Sequence, residues 1–343
     1  METIMHKEIF MIPEALRFTY EYNEQILKEV ANKIKEQNIK NVSIVARGSS
    51  DNVGLYLKYL LEIYCHMNVS LASSSIVTKY GSYINFSDTL VIGISQSGSG
   101  EDIKEFLKMA NEQGALTLAI TNNLNSICAK EAKYNFYLNL SEEKGLAATK
   151  TFISQLYLSL LFVNELCDGV LQNSIDTLPK KINEVLDNEK NIDSIAEKCT
   201  DFIDLYLLSR GLNLVSSMEG ILKIQETTYI KAKAYAISDF YHGPMAIADE
   251  KQNFFLLASK GKVSDDNFKM YEKLKELNVN LFLITNDERF FDETNLIKIP
   301  DCDEVISPFA TIVSIQLFAN KLATLRGIDV DHPRNLKKVT VTR

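Results

Sequence analysis

A repeated arrangement of strands and helices is the feature that most limits the folds open to this chain. Four pairs of segments match, at offsets of 163, 163 to 164, 164 and 161 residues: 204–211 with 42–48, 254–259 with 90–95, 281–286 with 116–122, and 316–317 with 155–156. A nearly constant offset indicates two copies of one unit. Strand patterns alternate with helical patterns, which is typical of a parallel sheet covered on both faces. The sequence therefore predicts an α/β fold with two tandem lobes, each a parallel five-stranded sheet flanked by helices in a flavodoxin-like three-layer sandwich.

The segments of the chain are predicted from the spacing of apolar residues. Residues 1–170 contain an N-terminal helix, from about 13 to 38, and the first lobe, whose strands are expected at 41–46, 69–72, 89–94, 115–120 and 135–140. Residues 171–200 keep helical spacing of apolar side chains and are predicted to be a helical connector. Residues 201–343 form the second lobe and end in a C-terminal tail.

Composition excludes several classes of protein. The chain has 343 residues, a net charge of −8, and basic residues spread along its length, so a nucleic-acid partner is not expected. The five cysteines are scattered and form no C-x-x-C pair, which argues against a metal cluster or a disulfide scaffold and fits a reducing cytoplasm. The N-terminus lacks the apolar region of a signal peptide, and no apolar run is long enough to span a bilayer. We expect a cytoplasmic protein without a membrane partner.

The stretch Ser-Gln-Ser-Gly-Ser-Gly-Glu at 95–101 lies between a buried strand and a helical pattern. Glycines let the backbone approach a ligand closely, and the first turn of a helix offers unpaired N–H groups to an anion. Serine hydroxyls add further donors. The stretch predicts a cradle for an anion, most simply a phosphate; the alternative is an ordinary strand-to-helix turn with a serine cap. It is neither the dinucleotide G-x-G-x-x-G nor the Walker sequence.

The second lobe has lost this cluster of hydroxyl groups. The corresponding stretch there reads Ser-Lys-Gly-Lys-Val at 259–263. One anion site per chain is therefore expected rather than two.

Ionisable residues are concentrated in the second lobe. Glu219, Lys223 and Glu226 are spaced to lie on one side of a helix, just after the turn at Arg210, where α/β sheets bind ligands. The alternative is a solvated charge pair. His242 lies between aromatic residues and a Gly-Pro turn, and is either a capping or core histidine or an acid–base group.

Two further stretches are candidates. The Lys-rich tail at 329–341 contains Lys338, and the apolar Val339 and Val341 after it suggest that the tail docks rather than being solvated. The stretch at 143–150 is a turn of small residues before the helix that closes the first lobe, with an N-capping turn at Thr149 as its alternative.

Together these segments resemble the sugar isomerase (SIS) superfamily, and specifically the isomerase half of glucosamine-6-phosphate synthases. The resemblance runs from His6 to Val341. Four motifs occur in family order: Ser-Gln-Ser-Gly at 95–98, Glu-Gly-x-Leu-Lys-x-x-Glu at 219–226, His-Gly-Pro at 242–244, and Pro-Arg-Asn-Leu-x-Lys at 333–338.

The resemblance implies roles for individual residues. Glu226 would move a proton between C1 and C2 of the open-chain sugar, and Lys223 would neutralise charge beside it. His242 would assist ring opening and reach the site of a partner subunit, which implies a homodimer. Lys338 would face the sugar carbonyl and could form a Schiff base. No cofactor is implied. The resemblance further implies two sets of substrate-binding residues: Ser50, Ser95, Gln96, Ser97, Ser99 and Gly100 at the phosphate, and Gly48, Ser49, Ala147 and Glu219 elsewhere on the substrate.

Departures from the family pattern affect the expected reaction. No glutaminase domain precedes the sugar domain in this sequence, so ammonia supply from glutamine is not expected. Gly100 stands where the synthases have a phosphate-binding threonine, and Ser99 could compensate. The Ala-Ala-Thr-Lys form at 147–150 looks like that of stand-alone members that break down amino-sugar phosphates. The first hypothesis is therefore a glucosamine-6-phosphate deaminase-like isomerase; the alternatives are a fructosamine-6-phosphate deglycase and a non-catalytic sugar-phosphate sensor.

Overall fold

The computed structural model describes residues 2–338, which form two compact units. Unit 1 contains the chain up to Met11, Lys144–Thr149 and Asp176–Leu336. Unit 2 contains Ile12–Glu143, Lys150–Ile175 and the chain from Lys337. The division into residues 1–170, 171–200 and 201–343 stays a prediction.

Strands and helices alternate along the whole chain. The strands are β1 Asn41–Ala46, β2 Asn68–Leu71, β3 Thr89–Ile94, β4 Leu116–Thr121, β5 Tyr134–Tyr137, β6 Asp204–Ser209, β7 Lys231–Ala236, β8 Asn253–Ala258, β9 Asn280–Thr285 and β10 Leu296–Lys298. The helices are α1 Ile4–Phe10, α2 Ile12–Glu36, α3 Ser49–Tyr64, α4 Ser75–Thr78, α5 Glu101–Glu112, α6 Ile127–Glu131, α7 Lys150–Leu166, α8 Gln172–Asp187, α9 Glu189–Glu197, α10 Leu214–Thr228, α11 Ile237–Tyr241, α12 Ser264–Glu276 and α13 Ser307–Leu325. None of the helices in residues 2–338 combines the length and apolarity that a membrane span requires.

The two sheets have the same topology. Unit 2 carries a parallel sheet in the order β2-β1-β3-β4-β5, and unit 1 a parallel sheet in the order β10-β9-β8-β6-β7. The register is repeated too: β1 pairs Asn41 with Asn68, and β6 pairs Asp204 with Lys231, each 163 residues later. The predicted α/β fold with two five-stranded parallel sheets is confirmed.

Glycines bring one helix in each unit close to its sheet. In unit 2, a Cβ on Gly93 of β3 would lie 2.8 Å from Ile103 of α5, so the strand and helix pack without an intervening side chain. In unit 1, a Cβ on Gly220 of α10 would lie 2.8 Å from Leu207 of β6. Buried apolar side chains fill the surrounding cores, each contributing roughly 1.5–3 kcal/mol. Both helices that follow a candidate site turn are therefore held in a fixed position on their sheets.

Candidate active site

The turn after β3 brings donor groups to the carboxyl edge of the sheet in unit 2. It spans residues 95–100, between the end of β3 and the start of α5. Gly98 has φ +66°, and a Cβ there would lie 2.0 Å from Ser126 Oγ. Both the backbone angle and the lack of space require glycine at this position. The turn is therefore tight, and its backbone lies against the loop that follows β4.

Three serine side chains cluster in this turn. Ser97 Oγ lies 2.6 Å from Ser99 Oγ, and Ser95 Oγ accepts the Gly98 N–H at 3.1 Å. The N-cap of α5 is Gly100, which has no side-chain capping bond. The alternative of a serine-capped turn is therefore wrong. Hydroxyl groups and an uncapped helix start coincide here, which is an arrangement suited to an anion.

A second helix start lies beside this turn. β1 pairs with β3 in parallel, and α3 begins at Ser49 directly after Gly48, which has φ +57°. Ser50 is buried and donates to Gln155 Oε1 at 3.2 Å. The order β2-β1-β3-β4-β5 reverses direction between β1 and β3, and α/β folds bind ligands at such a reversal. The structure thus brings residues 48–50 and 95–100 to one edge of unit 2.

An arginine that sequence reasoning missed lies at the same edge. Arg47 Nη2 is 3.0 Å from Asp102 Oδ2 in the first turn of α5, and the Asp102 side chain is only 3% exposed. Ser74 donates to the same carboxylate at 2.8 Å. A corresponding pair in unit 1, Arg210 with Asp266 at 3.4 Å, shows that the repeat in the sequence could have revealed it. Arg47 is thus a fixed cation next to the serine-rich turn.

Glu219, Lys223 and Glu226 form a charge cluster on α10 in unit 1. Lys223 Nζ lies 3.3 Å from Glu219 Oε1 and 2.7 Å from Glu226 Oε2. The side chains of Glu219 and Lys223 are 0% and 1% exposed, whereas that of Glu226 is 20% exposed. The alternative of a solvated charge pair is therefore wrong. Buried charges of this kind need a paired geometry, and here one ammonium serves two carboxylates, of which only Glu226 has appreciable solvent exposure.

His242 lies in unit 1, directly after α11. Its ring is exposed, and Gly243 after it has φ +137°, which only glycine adopts readily. A cavity of about 270 Å³ is lined by Arg210, Ile237, Ser238, Tyr241, His242, Asp266 and Lys269. His242 is therefore not a core histidine. The lining carries the cations Arg210 and Lys269 and one carboxylate, that of Asp266, which pairs with Arg210.

Lys338 contacts the buried carboxylate of Glu143, at the start of the candidate stretch 143–150. Its Nζ lies 3.2 Å from Glu143 Oε2, and the Glu143 side chain is 0% exposed. Glu143 also accepts the backbone N–H of Thr151 at 3.2 Å and its hydroxyl at 2.6 Å. Ala147, from the same stretch of sequence, is 2% exposed in unit 1. Val339 and Val341 lie outside the described residues.

In unit 1, a carboxylate occupies the turn that corresponds to the serine-rich one. The Lys262 N–H donates to Glu304 Oε2 at 2.8 Å. A Cβ on Gly261, which has φ +147°, would lie 2.4 Å from the same oxygen. The chain's own negative charge thus lies where this turn could otherwise accept an anion. This arrangement supports the expectation of one anion site per chain.

Comparisons with known proteins identify relatives of this chain. Residues 36–164 match the SIS domain family. A glutamine–fructose-6-phosphate aminotransferase (isomerizing) of Aquifex aeolicus is 32% identical over 98% of this chain and 57% of its own length. The chain thus spans a little over half the length of the curated relatives that it matches.

Solved structures are similar over almost the whole chain. A candidate phosphosugar isomerase from Silicibacter pomeroyi has a TM-score of 0.86 and 26% identity, covering 96% of this chain and 100% of that one. The C-terminal domain of glucosamine-fructose-6-phosphate aminotransferase from Francisella tularensis has a TM-score of 0.83 and 25% identity, covering 97% and 98%. The chain therefore contains a SIS domain and is homologous to the C-terminal, isomerase domain of glutamine–fructose-6-phosphate aminotransferases.

Proposed function

We propose that this chain is a phosphosugar isomerase that deaminates an amino-sugar 6-phosphate in the manner of a glucosamine-6-phosphate deaminase. The observation that carries the proposal is the Glu226 carboxylate, which keeps some exposure while its partner Lys223 is buried. Aldose–ketose interconversion needs one carboxylate that reaches adjacent carbons of a fixed substrate. The relatives' names, which include fructose 6-phosphate, support a phosphorylated hexose as substrate.

The serine-rich turn of unit 2 is proposed to bind the phosphate. Its donors are the hydroxyl groups of residues 95–99 and the N–H groups at the uncapped start of α5. Arg47 lies at the same sheet edge, where its guanidinium pairs with Asp102. The proposed phosphate-binding residues are Ser50, Ser95, Gln96, Ser97, Ser99 and Gly100, and the other proposed substrate contacts are Gly48, Ser49, Ala147 and Glu219.

The proposed reaction begins with ring opening, which gives the open-chain aldose. His242, contributed by the partner of a cytoplasmic homodimer, assists ring opening. Glu226 removes the proton from C2 and returns it to C1, while Lys338 donates a hydrogen bond to the oxygen at C1 and Lys223 balances the charge of Glu226. In the same isomerisation the oxygen at C1 takes up a proton and becomes a hydroxyl group, and the nitrogen at C2 gives up a proton. The product is the C2 imine. One water molecule then adds at C2 and ammonia leaves, which gives fructose 6-phosphate.

Turnover of glucosamine 6-phosphate tests the proposal. We expect ammonia and fructose 6-phosphate to appear in equal amounts. Glu226→Gln should lower the rate at least a hundredfold, because general-base catalysis contributes roughly 10²–10⁴. The matched control is Glu36→Gln, whose carboxylate is 66% exposed.

Other outcomes would replace the proposal. Binding of sugar phosphate without turnover would indicate a sensor. Cleavage of a fructosamine 6-phosphate, with free glucosamine 6-phosphate untouched, would indicate a deglycase. Isomerisation of a hexose phosphate without ammonia release would support the proposed isomerase activity and contradict the proposed deaminase activity.

A further inference from the structure

Tyr229 has an unusual backbone conformation at the end of the helix that carries Glu226. It is the C-cap of α10, with φ +59° and ψ +16°. This left-handed conformation is the usual place for glycine, and it is unfavourable for a bulky side chain. If Tyr229 only ended the helix, glycine would serve better.

The hydroxyl group and the aromatic ring of Tyr229 both contact one residue of the C-terminal tail. The Arg334 N–H donates to the Tyr229 hydroxyl at 3.0 Å. The Arg334 guanidinium lies over the Tyr229 ring, 4.1 Å from its centroid. A hydrogen bond and a cation–π contact thus act on the same residue. Glycine could supply neither.

The tail immediately before Arg334 is also fixed within unit 1. Val330 is 1% exposed, and the Asp331 carboxylate accepts the N–H groups of Ile4 at 2.8 Å and Met5 at 3.1 Å. Arg334 lies four residues before Lys338. Four residues span at most about 14 Å, so an anchor at Arg334 limits the volume that Lys338 can sample.

We propose that Tyr229 is a positioning residue, which holds Arg334 and thereby fixes the tail from which Lys338 acts. The anchor itself depends only on the contacts of Tyr229 with Arg334. Its importance for turnover rests on the proposed function. The two claims are therefore tested by separate measurements.

Limited trypsin digestion of the full chain tests the anchor without any assay of activity. Intact mass reports cleavage after Lys337 or Lys338 under native conditions. Tyr229→Gly relieves the backbone strain but removes both contacts, and we expect at least tenfold faster cleavage. Tyr229→Phe keeps the ring and loses the hydroxyl, so its rate should lie between those of the wild type and the glycine variant. His66→Gly is the matched control, because His66 also has a left-handed backbone, with φ +54°, and is exposed.

A second variant keeps the test valid if Tyr229→Gly does not fold. Arg334→Gln keeps the backbone N–H and a polar side chain but removes the cation over the Tyr229 ring, and it changes an exposed side chain. It should also accelerate cleavage while the thermal midpoint stays unchanged. Wild-type cleavage rates in Tyr229→Gly, or in Arg334→Gln if the glycine variant does not fold, would overturn the anchor.

Measurements of turnover test whether the anchor at Tyr229 matters for the proposed action of Lys338. Tyr229→Gly should lower kcat at least tenfold, and it should have no further effect in a Lys338→Ala background. Faster cleavage with unchanged kcat would overturn the positioning role. If the wild type shows no turnover, the proposed function fails, and the digestion still decides whether Tyr229 anchors the tail.

Discussion

Lys223 Nζ lies 2.7 Å from Glu226 Oε2, and the two side chains differ sharply in exposure, at 1% and 20%. The same ammonium is 3.3 Å from the fully buried carboxylate of Glu219. Lys223 therefore compensates a buried charge and at the same time holds the partly exposed carboxylate that we propose as the base. Its removal should affect both stability and turnover.

We predict that Lys223→Met lowers the free energy of unfolding by about 3–5 kcal/mol, because the Glu219 carboxylate loses its buried ammonium partner. Urea denaturation followed by circular dichroism measures the change. Lys273→Met is the control, since Lys273 also pairs three residues on, with Glu276 at 2.9 Å, but at 41% and 66% exposure. An exposed pair contributes about 0–1 kcal/mol. Equal losses in both variants would contradict the role given to burial.

We predict that Gly98→Ala is far more destabilising than Gly114→Ala. Both glycines have positive φ, +66° and +78°, and the left-handed conformation costs alanine about 1–2 kcal/mol at each. At Gly114 no atom lies within 4 Å of the added Cβ, whereas at Gly98 the Cβ would displace Ser126, which caps α6. Overpacking adds about 1–3 kcal/mol at Gly98 only. Urea midpoints that shift equally would refute the tight packing of the serine-rich turn.

Ser97→Ala should weaken the binding of fructose 6-phosphate by roughly tenfold to a hundredfold. A hydrogen bond to a charged group contributes about 1.5–3 kcal/mol, and Ser97 supplies one of the clustered hydroxyl groups. Calorimetric titration gives the Kd, and Ser82→Ala, an exposed loop serine, is the control. An unchanged Kd in Ser97→Ala would contradict the proposal that this turn binds the phosphate.

The cysteine thiols should resist labelling in the folded protein. Burial raises the pKa of the thiols of Cys65, Cys128, Cys199 and Cys302 to about 12, and also raises that of Cys167. A thiol-specific reagent at pH 8 should therefore react slowly until urea unfolds the chain. Rapid labelling of any of these thiols in the native state would contradict its burial.

The same shifts make stability depend on alkaline pH. Because the folded-state pKa values exceed the unfolded value of about 8.5, the thiols contribute their full stabilisation below that pH. The contribution is lost as the pH rises from about 8.5 toward 12. Urea midpoints should fall over this range, and less so in a Cys199→Ala variant. A midpoint that is independent of pH there would contradict the prediction.

Much of the fold was predictable because its strands are short apolar runs. β1 and β3 occupy the ranges expected from their apolar residues, and the repeat predicts the second sheet. The fifth strand was expected at 135–140 but ends at Tyr137, because Asn139 adopts a left-handed backbone with φ +57°. A single asparagine does not predict a left-handed conformation, so the end of β5 could not be predicted from the sequence.

The candidate site was only partly predictable. Spacing along a helix brought Glu219, Lys223 and Glu226 together, since these contacts are local. Glu143 could not be recognised as the partner of Lys338, because the two residues are 195 positions apart and nothing in the local pattern links them. Pairings of this kind depend on tertiary packing, and only the structure reveals them.

The Glu304 carboxylate against the Gly261 turn has a consequence for how the duplicated lobes respond to their surroundings. A tethered counter-ion is present at a high effective concentration whatever the solution contains. We therefore expect a phosphorylated ligand to change the occupancy of the serine-rich turn in unit 2 only, while the Gly261 turn of unit 1 keeps its own carboxylate whatever the ligand concentration.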